Sequence, residues 1–147
     1  VIAQRMMAGV HQTAPVTLTT KIDAQSLVSF RERLKLDVSV GMVPSYNDIL
    51  IGLAAQTLRE FPELNACWYR EGIYQFEEIH IATAIDTPDG LLAPVVHHTD
   101  RLTLVELAGQ TKQLIQLART GQLKQEHLTG GTFTVTNLGM FGIDAFT

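Results

Sequence analysis

The chain has 147 residues, 46% of them hydrophobic and 18% charged. That balance suits one globular domain and excludes a disordered or low-complexity chain, which has too few apolar groups to bury. Eleven basic against fifteen acidic residues give a net charge of −4, which excludes a general nucleic-acid or anionic-membrane footprint, and the single cysteine, Cys67, excludes an internal disulfide framework.

Residues 1–10 place Ile2, Met6 and Val10 at helical spacing and predict a helix. The alternation over residues 16–22 predicts a strand. Asp23 is placed to cap a helix with Leu27, Phe30 and Leu34 on one face and Arg31 and Arg33 within it. Residues 38–44 form a loop with Gly41 and Pro44. Ser45-Tyr46-Asn47-Asp48 is a capping-box pattern opening a helix over residues 46–61. Its broad apolar face is Ile49, Leu50, Leu53, Ala54, Thr57, Leu58 and Phe61, and Pro62 ends it.

Farther on, Cys67–Tyr69 and Ile73–Phe76 flank Arg70-Glu71-Gly72, a hairpin signal. A strand is predicted over His80–Ile85, a turn over Thr87–Gly90 and another strand over Leu91–Val96. Thr103–Glu106 is a second capping box, and its helix carries Leu107, Ala108, Thr111, Leu114, Ile115 and Ala118 on one face, with Gly121 as the C-cap. Thr132–Thr136 is a strand whose threonines face one way, with Phe133 and Val135 facing the other. The sum is an α/β (α+β) domain with a mixed sheet and three substantial helices.

No segment is long enough to span a bilayer: Ile49–Leu58 is interrupted by Gly52, Gln56 and Thr57. The N-terminal residues show no secretory signal. There is no initiator Met and both ends look cut, so a longer parent protein is expected.

The five histidines, His11, His80, His97, His98 and His127, form no His-x-x-x-His pair and have no cysteine cluster beside them. They are expected to be surface or locally satisfied groups with no metal, and His97 and His98, as strand neighbours, to point to opposite faces. Gly130-Gly131 and Gly139–Gly142 lack the spacing of a dinucleotide or phosphate loop. Cys67, beside Trp68 and without an adjacent histidine, reads as a buried structural thiol rather than a nucleophile. Thr136-Asn137-Leu138-Gly139 ends a strand with a hydroxyl and an amide. Those groups either aim hydrogen bonds at a ligand or make an ordinary strand exit, with Asn137 in an Asx-turn.

The segment Gly-Gly-Thr-Phe-Thr-Val-Thr-Asn-Leu-Gly-Met-Phe-Gly-Ile-Asp-Ala-Phe-Thr (130–147) closely resembles a signature of the 2-oxo acid dehydrogenase acyltransferases, the E2 components. Ile2–Met6, Thr17–Asp23, Ser45–Asp48, Phe61–Ala66 and Ala84–Val96 are similar to that family in the same order, so the resemblance covers essentially the whole chain. It implies the CoA-dependent acyltransferase fold, shared with chloramphenicol acetyltransferase, incomplete at the C-terminus. It also implies a homotrimer that builds a larger core, with E1 and E3 components bound through domains absent here.

The implied reaction transfers an acyl group between dihydrolipoamide and coenzyme A. By motif, Thr136 matches the oxyanion-stabilising hydroxyl, and Arg31, Ser45, Asp86 and Asn137 match positions at the coenzyme A site. The family's general base lies in a His-x-x-x-Asp-Gly motif that is absent from this chain, and none of the five histidines replaces it. The Pro-His usual before the first strand is here Pro15-Val16. The lipoyl and peripheral-subunit-binding domains are also missing, so residues 1–147 look like a single domain, the first two-thirds of a catalytic domain. The fragment alone is expected to be inactive, and marginal or aggregation-prone unless a partner covers its apolar surface.

The wording Gly139–Asp144 leans toward acetyl- or acetoin-type enzymes by resemblance, so the expected acyl group is acetyl. The alternatives are a non-catalytic E2-like scaffold subunit and a stand-alone acetyltransferase for a small hydroxylated acceptor. The expected compartment is the bacterial cytoplasm, with the mitochondrial matrix as the alternative. No nucleic-acid or membrane partner is expected.

Overall fold

A computed structural model describes residues 7, 11, 14–37, 41–88 and 90–143. The predicted N-terminal helix falls mostly outside them; Met7 and His11 are both helical. Three helices follow: α1 (Gln25–Leu36), α2 (Tyr46–Glu60) and α3 (Leu104–Arg119). The strands are β1 (Ala66–Tyr69), β2 (Gly72–Gln75), β3 (Ile81–Thr83), β4 (Ile85–Thr87), β5 (Gly90–Leu92), β6 (Val95–Val96) and β7 (Phe133–Val135).

Both capping boxes form as predicted. Ser45 and Asp48 exchange side-chain-to-backbone bonds at the start of α2, and Thr103 and Glu106 do so at the start of α3. Each box satisfies two N–H groups that a helix start otherwise leaves without partners. Asp23 acts one position early: its Oδ1 accepts from the Gln25 N–H, and α1 begins at Gln25. The half-buried side chains of α1 are Leu27, Phe30, Arg31 and Leu34, the predicted face with the arginine added.

The central sheet has three strands in the order β6-β3-β7, antiparallel between β3 and β6 and parallel between β3 and β7. Helices α2 and α3 pack on it around Ile51, Ala55, Leu58, Ile79, Ile81, Val96, Leu107 and Leu114. The α3 face is the predicted one, with Leu107, Ala108, Thr111, Leu114 and Ala118 buried and Gly121 in the left-handed conformation just past the end.

The expected face of α2 is rotated. Ile51 and Ala55 are in the core, while Leu50, Leu53 and Phe61 are exposed. This helix is apolar nearly all round, so periodicity alone does not select the stripe that meets the sheet.

Three strand expectations are corrected. Residues 16–22 form no strand: no described segment pairs with them, and Val16, Leu18 and Ile22 are exposed. The predicted strand His80–Ile85 is broken at Ala84, where the chain leaves the central sheet and starts the β4–β5 hairpin. The predicted strand Leu91–Val96 divides at Ala93-Pro94, because proline has no N–H to give a ladder.

The β1–β2 hairpin forms in the predicted place. Arg70 and Glu71, both with positive φ, make its two-residue turn. Cys67 lies on this hairpin and is exposed, against the expectation of burial, because the hairpin stands off the core.

Candidate functional site

The parallel pair β3 and β7 ends at Thr83 and Val135, which are partners in register. The Ala84 N–H continues the ladder to the Val135 carbonyl at 3.4 Å. Thr136 therefore emerges at the carboxyl end of a central-sheet strand, a common place for a ligand group in α/β sheets. It is exposed.

Asn137 follows it, and its Oδ1 accepts from the Gly139 N–H at 3.0 Å. That is the Asx-turn allowed by the sequence, and the Nδ2 group makes no hydrogen bond with a described residue. Asp86 lies in β4, two residues beyond Ala84, with its side chain exposed.

The N-terminus of α2 meets this strand end. Asn47, in the first turn, donates from Nδ2 to the Thr83 Oγ1 at 3.4 Å. Its Oδ1 is buried and has no hydrogen-bond partner among the described residues. Ser45 is engaged in the cap: its hydroxyl donates to Asp48 Oδ2 at 2.7 Å and accepts from the Asp48 N–H at 3.1 Å. One lone pair of the hydroxyl is left for a ligand.

Arg31 reaches the same turn from α1. Its Nε donates to the Pro44 carbonyl at 2.9 Å, and its guanidinium lies over the Tyr46 ring, 4.8 Å from the centroid. Its terminal nitrogens make no hydrogen bond or ion pair with a described residue. A guanidinium steadied at Nε and stacked on a ring presents its outer fork to an anion.

Four of the five residues singled out in the sequence thus lie on segments that converge, while Asp86 pairs with Leu91 in the β4–β5 hairpin and bonds none of them. Arg31 is bonded to the 44–46 turn, that turn holds Ser45 and leads into Asn47, Asn47 is bonded to Thr83, and Thr83 pairs beside Thr136 and Asn137. Sequence reasoning missed Asn47, Thr83 and Asp48 as members of this arrangement. The capping-box pattern marked Asp48 as a cap, and nothing local marks the bond across 36 positions from Asn47 to Thr83.

A second polar cluster lies at the opposite end of β3. His97 and His98 sit in a turn after β6, not in a strand, and both ring edges approach His80, with centroids 4.7 and 4.8 Å away. The expectation that they point apart fails because His98 adopts a left-handed backbone. His80 Nε2 faces Glu78 Oε2 at 3.2 Å, and His98 Nδ1 lies 3.7 Å from Glu78 Oε1.

These three side chains have the proximity of a metal set, but His80 Nδ1 accepts the His98 backbone N–H at 2.9 Å. A histidine that binds a metal through Nε2 carries its proton on Nδ1, so this bond opposes that use. His97 has its pKa held below the usual histidine value, first by loss of hydration and then by the neighbouring His80. Its side chain is largely exposed, which keeps the effect modest.

The family of 2-oxoacid dehydrogenases acyltransferase (catalytic domain) matches residues 1–147. A similar relative is the mitochondrial dihydrolipoyllysine-residue acetyltransferase component of the pyruvate dehydrogenase complex of Schizosaccharomyces pombe. It is 35% identical over 147 residues, which is all of this chain and 30% of that protein. Among solved structures, a probable dihydrolipoamide acetyltransferase from Listeria monocytogenes superposes with a TM-score of 0.91 at 31% identity, covering 99% of this chain and 63% of that one. The cubic core of a pyruvate dehydrogenase multienzyme complex superposes with a TM-score of 0.87 at 30% identity, with the same coverage. The chain therefore spans less than a third of the curated relative and under two-thirds of the solved chains.

Proposed function

The chain belongs to the 2-oxoacid dehydrogenase acyltransferases and has the fold of their catalytic cores, and from that premise we propose that it forms the first two-thirds of a catalytic domain that transfers an acyl group, acetyl by preference, between dihydrolipoamide and coenzyme A. The single observation that carries this reading is Thr136. Its side chain is exposed at the carboxyl end of β7, beside a turn that holds a guanidinium with its outer nitrogens unengaged.

In this reading the outer nitrogens of Arg31 hold a phosphate of coenzyme A. Ser45, Asp86 and Asn137 line the path of the coenzyme. The coenzyme A sulfur attacks the thioester carbon of acyl-dihydrolipoamide, so one C–S bond forms and the carbonyl oxygen becomes an oxyanion. The Thr136 hydroxyl donates to that oxyanion. The intermediate collapses, the C–S bond to the dihydrolipoyl sulfur breaks, and the proton taken from the coenzyme A thiol goes to the leaving sulfur. The base that carries this proton belongs to the motif missing from these 147 residues, so the chain alone should be inactive.

A homotrimer that builds a larger core, with E1 and E3 components as partners, is the proposed assembly. The likeness to a cubic core supports it, as do Trp68 and Ile73, which face each other across the β1–β2 hairpin at 66% and 80% exposure. Similar proteins come from a mitochondrion and from a bacterium. The bacterial cytoplasm is the proposed compartment, with the mitochondrial matrix as the alternative. No described helix is long and apolar enough to cross a membrane. The test is an assay of the full-length protein with acetyl-dihydrolipoamide and coenzyme A. Acetyl-coenzyme A should form, and a purified, folded protein that forms none contradicts the reading.

A further inference from the structure

We propose that the buried Asp48–Thr111 pair is a positioning device that aims Arg31 at the phosphate-bearing end of its ligand; this rests on the coenzyme A reading given above. Arg31 is held at two points, and both belong to one short segment. Its Nε bonds the Pro44 carbonyl, and its guanidinium stacks over the Tyr46 ring. Wherever residues 44–46 go, the outer fork of the guanidinium goes too. What fixes residues 44–46 is the carboxylate of Asp48. Its Oδ2 accepts from both the backbone N–H and the hydroxyl of Ser45, each at 2.7 Å. Its Oδ1 accepts from the Thr111 hydroxyl at 2.5 Å, across 63 positions of chain and from a different helix.

The second capping box of the chain serves as an internal comparison. Thr103 and Glu106 make the same reciprocal bonds at the start of α3, yet Glu106 is exposed and bonds only Thr103. Capping a helix therefore needs neither burial nor a third partner. The box at α2 has both: Asp48 is 6% exposed and Thr111 is 4% exposed. A carboxylate is costly to bury without donors, so each of its oxygens demands a fixed partner. The extra bond ties the 44–46 turn to the body of α3 and leaves it little freedom to swing. Thr111 was legible in the sequence only as one member of the apolar face of α3, and its hydroxyl is the part that face does not explain.

A loss of this tie should be felt at the turn that carries Arg31 and Ser45, on the phosphate-bearing end of the ligand, and not where the thiol arm binds beside Thr136. The experiment uses the full-length protein as encoded and measures by titration calorimetry the binding of coenzyme A and of pantetheine, which has the same thiol arm without phosphate. Thr111→Val removes only the hydroxyl at nearly constant volume. It should weaken coenzyme A binding about tenfold, the scale of one charge-assisted contact, and leave pantetheine binding within about twofold. Thr111→Ser should restore the wild-type value. Arg31→Met should give the same coenzyme A loss, and the double variant should lose no more than either single one, because both act through one contact.

Pantetheine binding reports that each variant is folded. Asp48→Asn is the second variant if Thr111→Val does not fold, and its coenzyme A loss should go the same way. Equal losses for both ligands, wild-type binding of coenzyme A by Thr111→Val, or additive losses in the double variant would each overturn the inference. If coenzyme A binds and depends on Arg31 but not on Thr111, only the positioning role falls. If the wild type binds no coenzyme A, or Arg31→Met binds it unchanged, the coenzyme A reading falls with it.

Discussion

Replacing Asn65 should loosen the β1–β2 hairpin from the core, and the structure sets the size of the effect. Asn65 is 1% exposed, between the 3-10 turn Pro62–Leu64 and β1. Its Nδ2 donates to the Phe76 carbonyl at 3.1 Å and to the Glu78 carbonyl at 3.0 Å, and its own carbonyl accepts the Phe76 N–H at 2.8 Å. Alanine keeps the backbone bond and loses the other two. At about 1 kcal/mol net for each hydrogen bond, with a further penalty where a carbonyl stays buried, Asn65→Ala should cost about 2–3 kcal/mol. Asn65→Asp has the same shape but turns an oxygen toward both carbonyls, so it should be the worse of the two despite being isosteric. Urea unfolding gives the free energies, and hydrogen exchange at the hairpin amides shows where protection is lost. A loss below about 0.5 kcal/mol for Asn65→Ala, or an Asn65→Asp variant as stable as the wild type, would refute the reasoning.

Two further outcomes follow from the packing and the histidine cluster. Ile51 is fully buried between α2 and the sheet, so Ile51→Ala should cost about 2–5 kcal/mol, read as a lowered denaturant midpoint with an unchanged slope. The pKa of His97 is lowered in the fold, so between its folded value and about 6.5 the unfolded chain binds more protons. Stability should therefore fall as the pH drops below about 6.5, and His97→Gln should flatten that slope. An unchanged slope would contradict the assignment to His97.

The parts of the fold written in local chemistry were readable. Ser45–Asp48 and Thr103–Glu106 announce their helices because a cap is completed within four residues. The face of α3 follows from spacing because its polar side is clearly polar. The apolar stripe of α2 was not readable, since Leu50, Leu53 and Phe61 differ from Ile51 and Ala55 only in what they meet across the chain. Residues 16–22 have the composition of a strand, yet a strand requires a partner, and pairing is not local information. Pro94 and Ala84 mark breaks that continuous apolar runs concealed.

The candidate site divides in the same way. Thr136, Arg31, Ser45, Asp86 and Asn137 came from a resemblance along the sequence. The bond that joins two of their segments, Asn47 to Thr83, and the bond that ties the 44–46 turn to α3, Asp48 to Thr111, cross 36 and 63 positions and leave no sequence pattern. The clustering of His97 and His98 on His80 was hidden for a related reason: it depends on a left-handed residue at a turn where no glycine stands.

The most direct test of the acyltransferase account is the turnover of Thr136 variants in the full-length protein. With acetyl-dihydrolipoamide and coenzyme A, Thr136→Ala should lower kcat by roughly 10²–10³-fold with KM nearly unchanged, because the hydroxyl acts on the oxyanion and not on the bound ground state. Thr136→Ser, which keeps the hydroxyl, should stay within about tenfold of the wild type, the allowance for losing a methyl contact. Equal kcat for the wild type and Thr136→Ala would contradict the account at its centre.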